Sequence, residues 1–119
     1  AKQVGVLCQR VIDLLGLTMK EGQSILLGES NIAHMVSNHP ADYALYGEYI
    51  PLILSMPDYV ALNAKDGSIE YVKEVQVNSV YVKVAVRVSA RGQLFARSVY
   101  RLNTNRVLNF IEKGTLKRY

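Results

Sequence analysis

The two histidines of the chain, His34 and His39, lie close together in a stretch that begins at Gly28 and ends at Pro40. Imidazole has an unperturbed pKa of about 6.5, so it can both accept and donate a proton near neutral pH. The apolar residues of this stretch recur at helical spacing, and the proline ends the pattern. The stretch therefore predicts a helix of two to three turns that carries two candidate proton-transfer groups.

The spacing of the histidines limits what they can do together. Five positions correspond to roughly 140° around a regular helix, so both rings meet at one site only if His39 lies on a frayed last turn. The alternative is that one histidine is a hydrogen-bonded packing residue and the other a solvated helix end. Without a nearby thiol or well-spaced carboxylate the pair does not match the usual metal-ligand patterns, so we expect no metal and no cofactor.

The composition is that of one folded domain spanning residues 1–119. Hydrophobic residues make up 50% of the chain and charged residues 20%, which is typical of a globular protein. Cys8 is the single cysteine, which excludes an internal disulfide and a thiolate metal cluster. The apolar runs are too short to cross a bilayer, so we expect no membrane segment.

The net charge of +4 is unevenly distributed. Residues 1–57 carry three Lys or Arg and five Asp or Glu, a balance of −2, whereas residues 58–119 carry eleven and five, a balance of +6. The second half is therefore the candidate surface for an anionic partner such as nucleic acid.

The first half of the chain predicts mainly helices. Residues 3–15 place apolar side chains at helical intervals and are followed by Gly16, which predicts an amphipathic helix with a glycine cap. Residues 24–27 predict a short strand that leads directly into the histidine helix. Residues 41–47 are expected to form a loop with a partial helical turn, and residues 48–54 a second short helix.

The second half changes to a period of two, which predicts strands. They are expected at 59–62, 69–77, 80–88 and 93–102, and a helix is expected to follow from residue 103 or 104. The clearest strand is 80–88, where valines alternate with polar residues. The predicted fold class is α+β: N-terminal helices packed on a four-stranded antiparallel sheet, with a short C-terminal helix.

The predicted strands supply the other groups that metal-free RNA cleavage needs. That reaction needs an acid and a base for proton transfer, and cations or hydroxyl donors to hold the charge on the phosphorus oxygens. Candidates on the strands are Lys73, Lys83, Arg87, Arg97, Ser98 and Tyr100. Lys73 stands out because its neighbours on the same strand face are largely apolar, so its stem must snorkel or its charge must meet an anion.

A purely structural role is the alternative for each of these groups. Lys83 and Arg87 would then be solvated or paired across strands with an acid such as Glu70 or Glu74. A strict period of two puts Ser98 and Tyr100 on the same face as Leu94 and Ala96, and inward-facing hydroxyls generally bond to other protein groups.

Several segments together resemble the BECR nucleases, which group barnase, EndoU, the tRNase colicins and the RelE-type toxins. The resemblance covers about residues 25–113, and within the superfamily it is to the branch found in phages and mobile elements. The segments that carry it are the His34 helix with His39-Pro40, residues 49–60, Tyr71-Val72-Lys73 with the valine-rich strand, and Arg97-Ser98-Val99-Tyr100.

The resemblance implies a metal-independent ribonuclease and assigns roles by position. His34 would be the acid or base on the helix, Lys73 the cation on a strand, and Ser98 the phosphate contact, together with Arg97 or Tyr100. His39 occupies a second matching position, with either a catalytic or a structural role. To these we add Lys83 and Arg87 as candidate substrate contacts.

Two classes of function remain open at this point. The first is an endoribonuclease that acts on RNA, with tRNA as one candidate, as the toxin domain of a larger phage, mobile-element or polymorphic-toxin protein. Such a domain would act in the cytoplasm of a target cell and would be held by an immunity or antitoxin protein, whose acidic surface a basic cleft would attract. The second is a non-catalytic module that binds RNA or protein through the same basic sheet, with strand tyrosines stacking on bases.

Overall fold

A computed structural model describes residues 1–77 and 79–119. In this part of the chain the elements are β1 (Lys2–Val6), α1 (Gln9–Leu15), β2 (Ser24–Leu27), α2 (Glu29–Asn38), α3 (Pro40–Tyr46), a 3-10 turn (Gly47–Tyr49), α4 (Ile50–Ser55), β3 (Tyr59–Leu62), β4 (Ile69–Gln76), β5 (Val80–Val88), β6 (Leu94–Leu102), α5 (Thr104–Glu112) and β7 (Lys117–Arg118). None of these helices is long and apolar enough to span a membrane.

The strands form one mixed sheet in the order β1-β2-β6-β5-β4-β3-β7. All neighbouring pairs are antiparallel except β2 and β6, which are parallel. The α+β class is confirmed, but the predicted sheet of four antiparallel strands is too small. The expected strands β3 to β6 form its centre, and β1, β2 and β7 extend it to seven strands in the described residues.

Two predictions for the first half are wrong. Residues 3–15 do not form one helix: β1 pairs with β2, and the helix begins only at Gln9. Valines favour strands and glycine disfavours helices, and Gly5 also lets β1 approach α4 so closely that a Cβ there would lie 3.0 Å from Leu54 Cβ. Residues 41–47 are mostly helical, because Pro40 occupies the first turn of α3.

The two faces of the sheet are covered differently. The main core lies on one face, where β4, β5 and β6 pack against α1, α4 and Met35 of α2. Among the described residues, the opposite face has a smaller core beneath α5, formed by Ala61, Val72, Tyr81, Val107 and Leu116. Beyond that small core, polar side chains of β4, β5 and β6 line open cavities on this face, which we call the open face.

A β-bulge in β6 decides which residues reach the open face. Ala85 of β5 pairs with Ser98, but the next residue of β5, Val86, pairs with Ala96, so Arg97 is an extra residue. The bulge exchanges the faces of β6. Leu94, Ala96 and Val99 are buried in the main core, whereas Ser98 and Tyr100 lie opposite Ala85 and Lys83. The expectation that Ser98 and Tyr100 share a face with Leu94 and Ala96 is therefore wrong.

Candidate active site

His34 lies on α2, which follows β2 directly and contacts β6. The start of α2 is fixed by Asn31, whose Oδ1 accepts a hydrogen bond of 2.9 Å from the backbone nitrogen of Gly28. One turn beyond the histidine, Asn38 places its amide nitrogen 3.0 Å from His34 Nε2. The predicted helix is confirmed, and it presents an exposed imidazole that a neighbouring amide orients.

A cavity of about 330 Å³ lies between His34 and the open face of the sheet. Its walls bring together most of the predicted site residues: His34, Lys83, Arg87, Arg97, Ser98 and Tyr100. A second cavity of about 300 Å³ continues past the start of α2 and shares His34, Arg87 and Arg97 with the first. An imidazole therefore shares one cleft with several cations and with the hydroxyl groups of Ser98 and Tyr100.

Two of the cations in the cleft are bound to carboxylates. Lys83 Nζ donates to Glu70 Oε2 over 3.0 Å, and Arg87 Nη2 donates to Asp66 Oδ2 over 2.7 Å. The pairing of Lys83 with Glu70 confirms one of the cross-strand partners that the sequence predicts for this lysine. In the part of the chain that the structure describes, the side chain of Arg97 has neither an ion pair nor a hydrogen bond. Arg97 is therefore the cation most available to an incoming phosphate.

The ion pairs also affect proton binding. Hydrogen bonds from Arg87 and from Ser68 hold the pKa of Asp66 well below its usual value, so this carboxyl stays charged. Burial lowers the pKa of Lys83, but Tyr100 and Glu70 outweigh it and raise the pKa overall. Lys83 consequently remains a cation over the physiological pH range, although it is partly buried.

His39 adjoins the cleft by contact with Tyr100. It is the last residue before α3, and its ring stacks on that of Tyr100 with centroids 4.7 Å apart and an angle of 17° between the planes. Lys83 Nζ lies 5.0 Å from the centroid of the same tyrosine ring. Asp42 of α3 also accepts from the backbone nitrogen of Arg101, over 3.3 Å. These contacts hold the junction between α2 and α3 against β6, next to the cleft.

Lys73 lies on the wrong face to join this group. It pairs with Val82 of β5, which is buried in the main core, and its Nζ donates to Met56 O over 2.7 Å. The same nitrogen lies 3.8 Å from Asp58. The expectation that Lys73 converges with His34 and Ser98 is wrong, because β4 presents Lys73 on one face and Glu70 and Val72 on the other.

Sequence reasoning missed some residues of the cleft, among them Asn38, Asn63, Asp66 and Ser68. Asp66 and Ser68 lie in the turn between β3 and β4, where the Asp-Gly signal indicates only a hairpin. A signal for the bulge is present in the sequence: the buried positions of β6 are spaced by two and then by three. Within residues 1–77 and 79–119, no group of three or more His, Cys, Asp or Glu side chains is arranged to hold a metal ion.

The family comparison agrees with this geometry. Neither a curated protein nor a solved structure matches the chain. One family model does match, over residues 2–109, which include every strand from β1 to β6 and all the side chains of the cleft discussed above. The family assignment supports a nuclease function in general. The chain belongs to the family described as phage-Barnase-EndoU-ColicinE5/D-RelE like nuclease 3.

Proposed function

We propose that this protein is an endoribonuclease that cleaves RNA without a metal ion, by attack of a 2′-hydroxyl on the adjacent phosphorus. The observation that carries the proposal is the cleft in which His34 faces the unpaired Arg97 and the hydroxyl of Ser98. A proton-transfer group, a free cation and a hydrogen-bond donor are the groups this reaction needs around one phosphodiester.

In the proposed reaction, the 2′-oxygen forms a bond to phosphorus and the bond from phosphorus to the 5′-oxygen breaks. The products are a 2′,3′-cyclic phosphate and a free 5′-hydroxyl. The 2′-hydroxyl loses a proton and the leaving 5′-oxygen gains one; His34 carries out one of these transfers and a solvent water molecule the other. Arg97 binds the phosphate oxygens, on which negative charge accumulates in the transition state, and Ser98 donates a hydrogen bond to them.

The remaining groups position the substrate and the site. Lys83 and Arg87 add positive potential, which is moderated by Glu70 and Asp66. The Tyr100 hydroxyl is a further phosphate contact. His39 acts as a positioning residue, because its ring stacks on Tyr100 and holds that side chain against β5 and α3.

The proposed biological setting is a toxin domain of a larger phage or mobile-element protein, with tRNA as a candidate substrate. The unpaired Arg97 and the other cations would then also attract the acidic surface of an immunity protein, which would inhibit the enzyme by covering the cleft.

The test is cleavage of total RNA and of purified tRNA by the protein in excess EDTA. We expect cleavage, with 2′,3′-cyclic phosphate ends on the products. The His34→Ala variant should lose roughly 10²-fold to 10⁴-fold of the cleavage rate while still binding RNA. The matched control is Ser37→Ala, an exposed change on the same helix, which should keep full activity.

Three results would contradict the proposal. Cleavage that requires a divalent metal would exclude the metal-free reaction. Full activity of His34→Ala would exclude this site, and binding of RNA without any cleavage by the unaltered protein would favour the non-catalytic binding module.

A further inference from the structure

A third and larger cavity continues from the proposed active site along the open face. It has a volume of about 670 Å³ and shares Asn63, Glu70, Lys83 and Tyr100 with the cleft beside His34. From there it runs along the ends of β3 and β6 to α5 and the segment after it. A strand of RNA that passes the active site in this direction would enter this cavity.

The walls of this cavity combine apolar surface with positive charge. Leu62, Leu102 and Phe110 supply apolar surface, and Leu62 is 45% exposed although it is a large hydrophobic residue. Three cations, Lys65, Arg101 and Arg106, line the same space and are exposed. The acid in the lining is Glu70, which is already bound to Lys83. Apolar surface bordered by cations fits a planar aromatic ring with phosphate groups on either side of it.

The far wall is built by the C-terminal segment. The guanidinium of Arg106 lies over the Phe110 ring, 5.7 Å from its centroid, so the two side chains form a cation–π pair at this wall. Phe110, Thr115 and Leu116 line the cavity but lie beyond residues 2–109, the part that matches the nuclease family. Arg106, on the same wall, lies within the matched part.

We propose that this cavity binds a nucleobase of the RNA that flanks the scissile phosphate, and that it contributes to the choice of cleavage site. The inference rests on the proposed ribonuclease function. The base stacks against Phe110 and Arg106, and Arg101 and Lys65 contact the phosphates on either side of it. Stacking of bases on aromatic and guanidinium planes is the usual means by which proteins hold unpaired RNA.

The experiment combines enzyme variants with altered substrates. A short RNA with a single cleavage site is made in a series in which one nucleotide at a time, on either side of that site, lacks its base. The unaltered protein, Arg106→Ala and Phe110→Leu are compared by kcat/KM on each substrate. Phe110→Leu keeps apolar volume while removing the flat ring, and Lys113→Ala is a charge-matched control near the end of α5 that does not line the cavity.

We expect removal of one particular base to lower kcat/KM of the unaltered protein about tenfold, in line with the cost of losing one stacked base. On the intact RNA, Arg106→Ala and Phe110→Leu should show a similar loss. On the substrate without that base, the variants should lose nothing further, whereas Lys113→Ala should behave like the unaltered protein throughout.

The possible failures are distinguishable. Suppose that the unaltered protein cleaves RNA, but the variant and the missing base each lower kcat/KM independently, so that the two losses multiply. This inference is then wrong and the proposed function stands. The same holds if removal of no single base lowers kcat/KM. If the unaltered protein cleaves no RNA, both are wrong. Thermal unfolding of each variant separates a local loss of contacts from a loss of folded protein.

Discussion

The two faces of β5 have opposite roles. On one face Val82, Val84 and Val86 are fully buried in the main core. On the other face Lys83 and Arg87 are partly buried, bound to carboxylates, and line the cleft opposite His34. Consecutive residues of one strand thus serve stability and chemistry in turn. Substitutions on the two faces should therefore have different consequences.

Among the residues of the sheet, the largest effect is expected at Arg97, the extra residue that the bulge of β6 brings to the cleft. Arg97→Ala should lower kcat of RNA cleavage by about 10²-fold to 10³-fold, because it removes the unpaired cation from the phosphate site. The free energy of unfolding should change by less than about 0.5 kcal/mol. Steady-state kinetics and urea unfolding give the two values.

Arg91→Ala is the matched control for this change. Arg91 is exposed at the turn between β5 and β6 and does not line the cleft. Equal losses of activity in the two variants would mean that only the overall positive charge matters, and the distinction between the faces of β6 would lose its functional meaning.

The second prediction is the opposite result on the buried face: a loss of stability without a loss of activity. Val84→Ala removes two methyl groups from the main core and should lower the free energy of unfolding by about 2 kcal/mol. Activity per folded molecule should stay unchanged, since Val84 points away from the cleft. Ala85→Ser, one residue further and on the open face, should change stability by less than about 0.5 kcal/mol. Equal destabilisation by both substitutions would contradict the assignment of the faces.

The third prediction compares two lysines on opposite faces. Lys83→Met should lower kcat/KM about tenfold, because it removes a cation from the cleft. Lys73→Met should change kcat/KM by no more than about twofold, because Lys73 binds Met56 O on the other face. Since Lys83→Met also leaves Glu70 without its partner, the double variant Lys83→Met with Glu70→Gln is the control. Recovery of full activity in that double variant would show that Lys83 only neutralises Glu70.

The comparison of faces also explains which parts of the fold the sequence could predict. The strand of valines, the helix that carries His34 and the hairpin at Asp66-Gly67 follow from local periodicity and turn chemistry, and the structure confirms them. Strand β1 did not follow, because Val4, Leu7 and Val11 also fit helical spacing. Its pairing with β2 depends on a partner more than fifteen residues away, which no local pattern reports.

The site was harder to predict for a similar reason. Residue types alone favoured Lys73 over Lys83, because a lysine among apolar neighbours needs a partner. That partner is the end of α4, and the sequence does not show that α4 lies on that side. One extra residue in β6 then moved Ser98 and Tyr100 to the open face. Fold class can therefore be predicted from patterns that extend over many residues. Which side chains meet at a site depends on the register of individual strand pairs, which a single extra residue can change.

The smallest effect is expected from the acid that holds Arg87 on the open face. Hydrogen bonds from Arg87 and Ser68 keep the pKa of Asp66 below its usual value of 3.8. A carboxyl with a lowered pKa in the folded state stabilises the protein above its unfolded pKa, and this contribution disappears as the pH falls towards the folded value. The difference in unfolding free energy between the unaltered protein and Asp66→Asn should thus be constant from about pH 7 to about pH 5 and should shrink below about pH 4. Urea unfolding across that range measures it. A difference of equal size at pH 7 and at pH 3 would mean that the Asp66–Arg87 pair does not depend on the charge of the carboxylate.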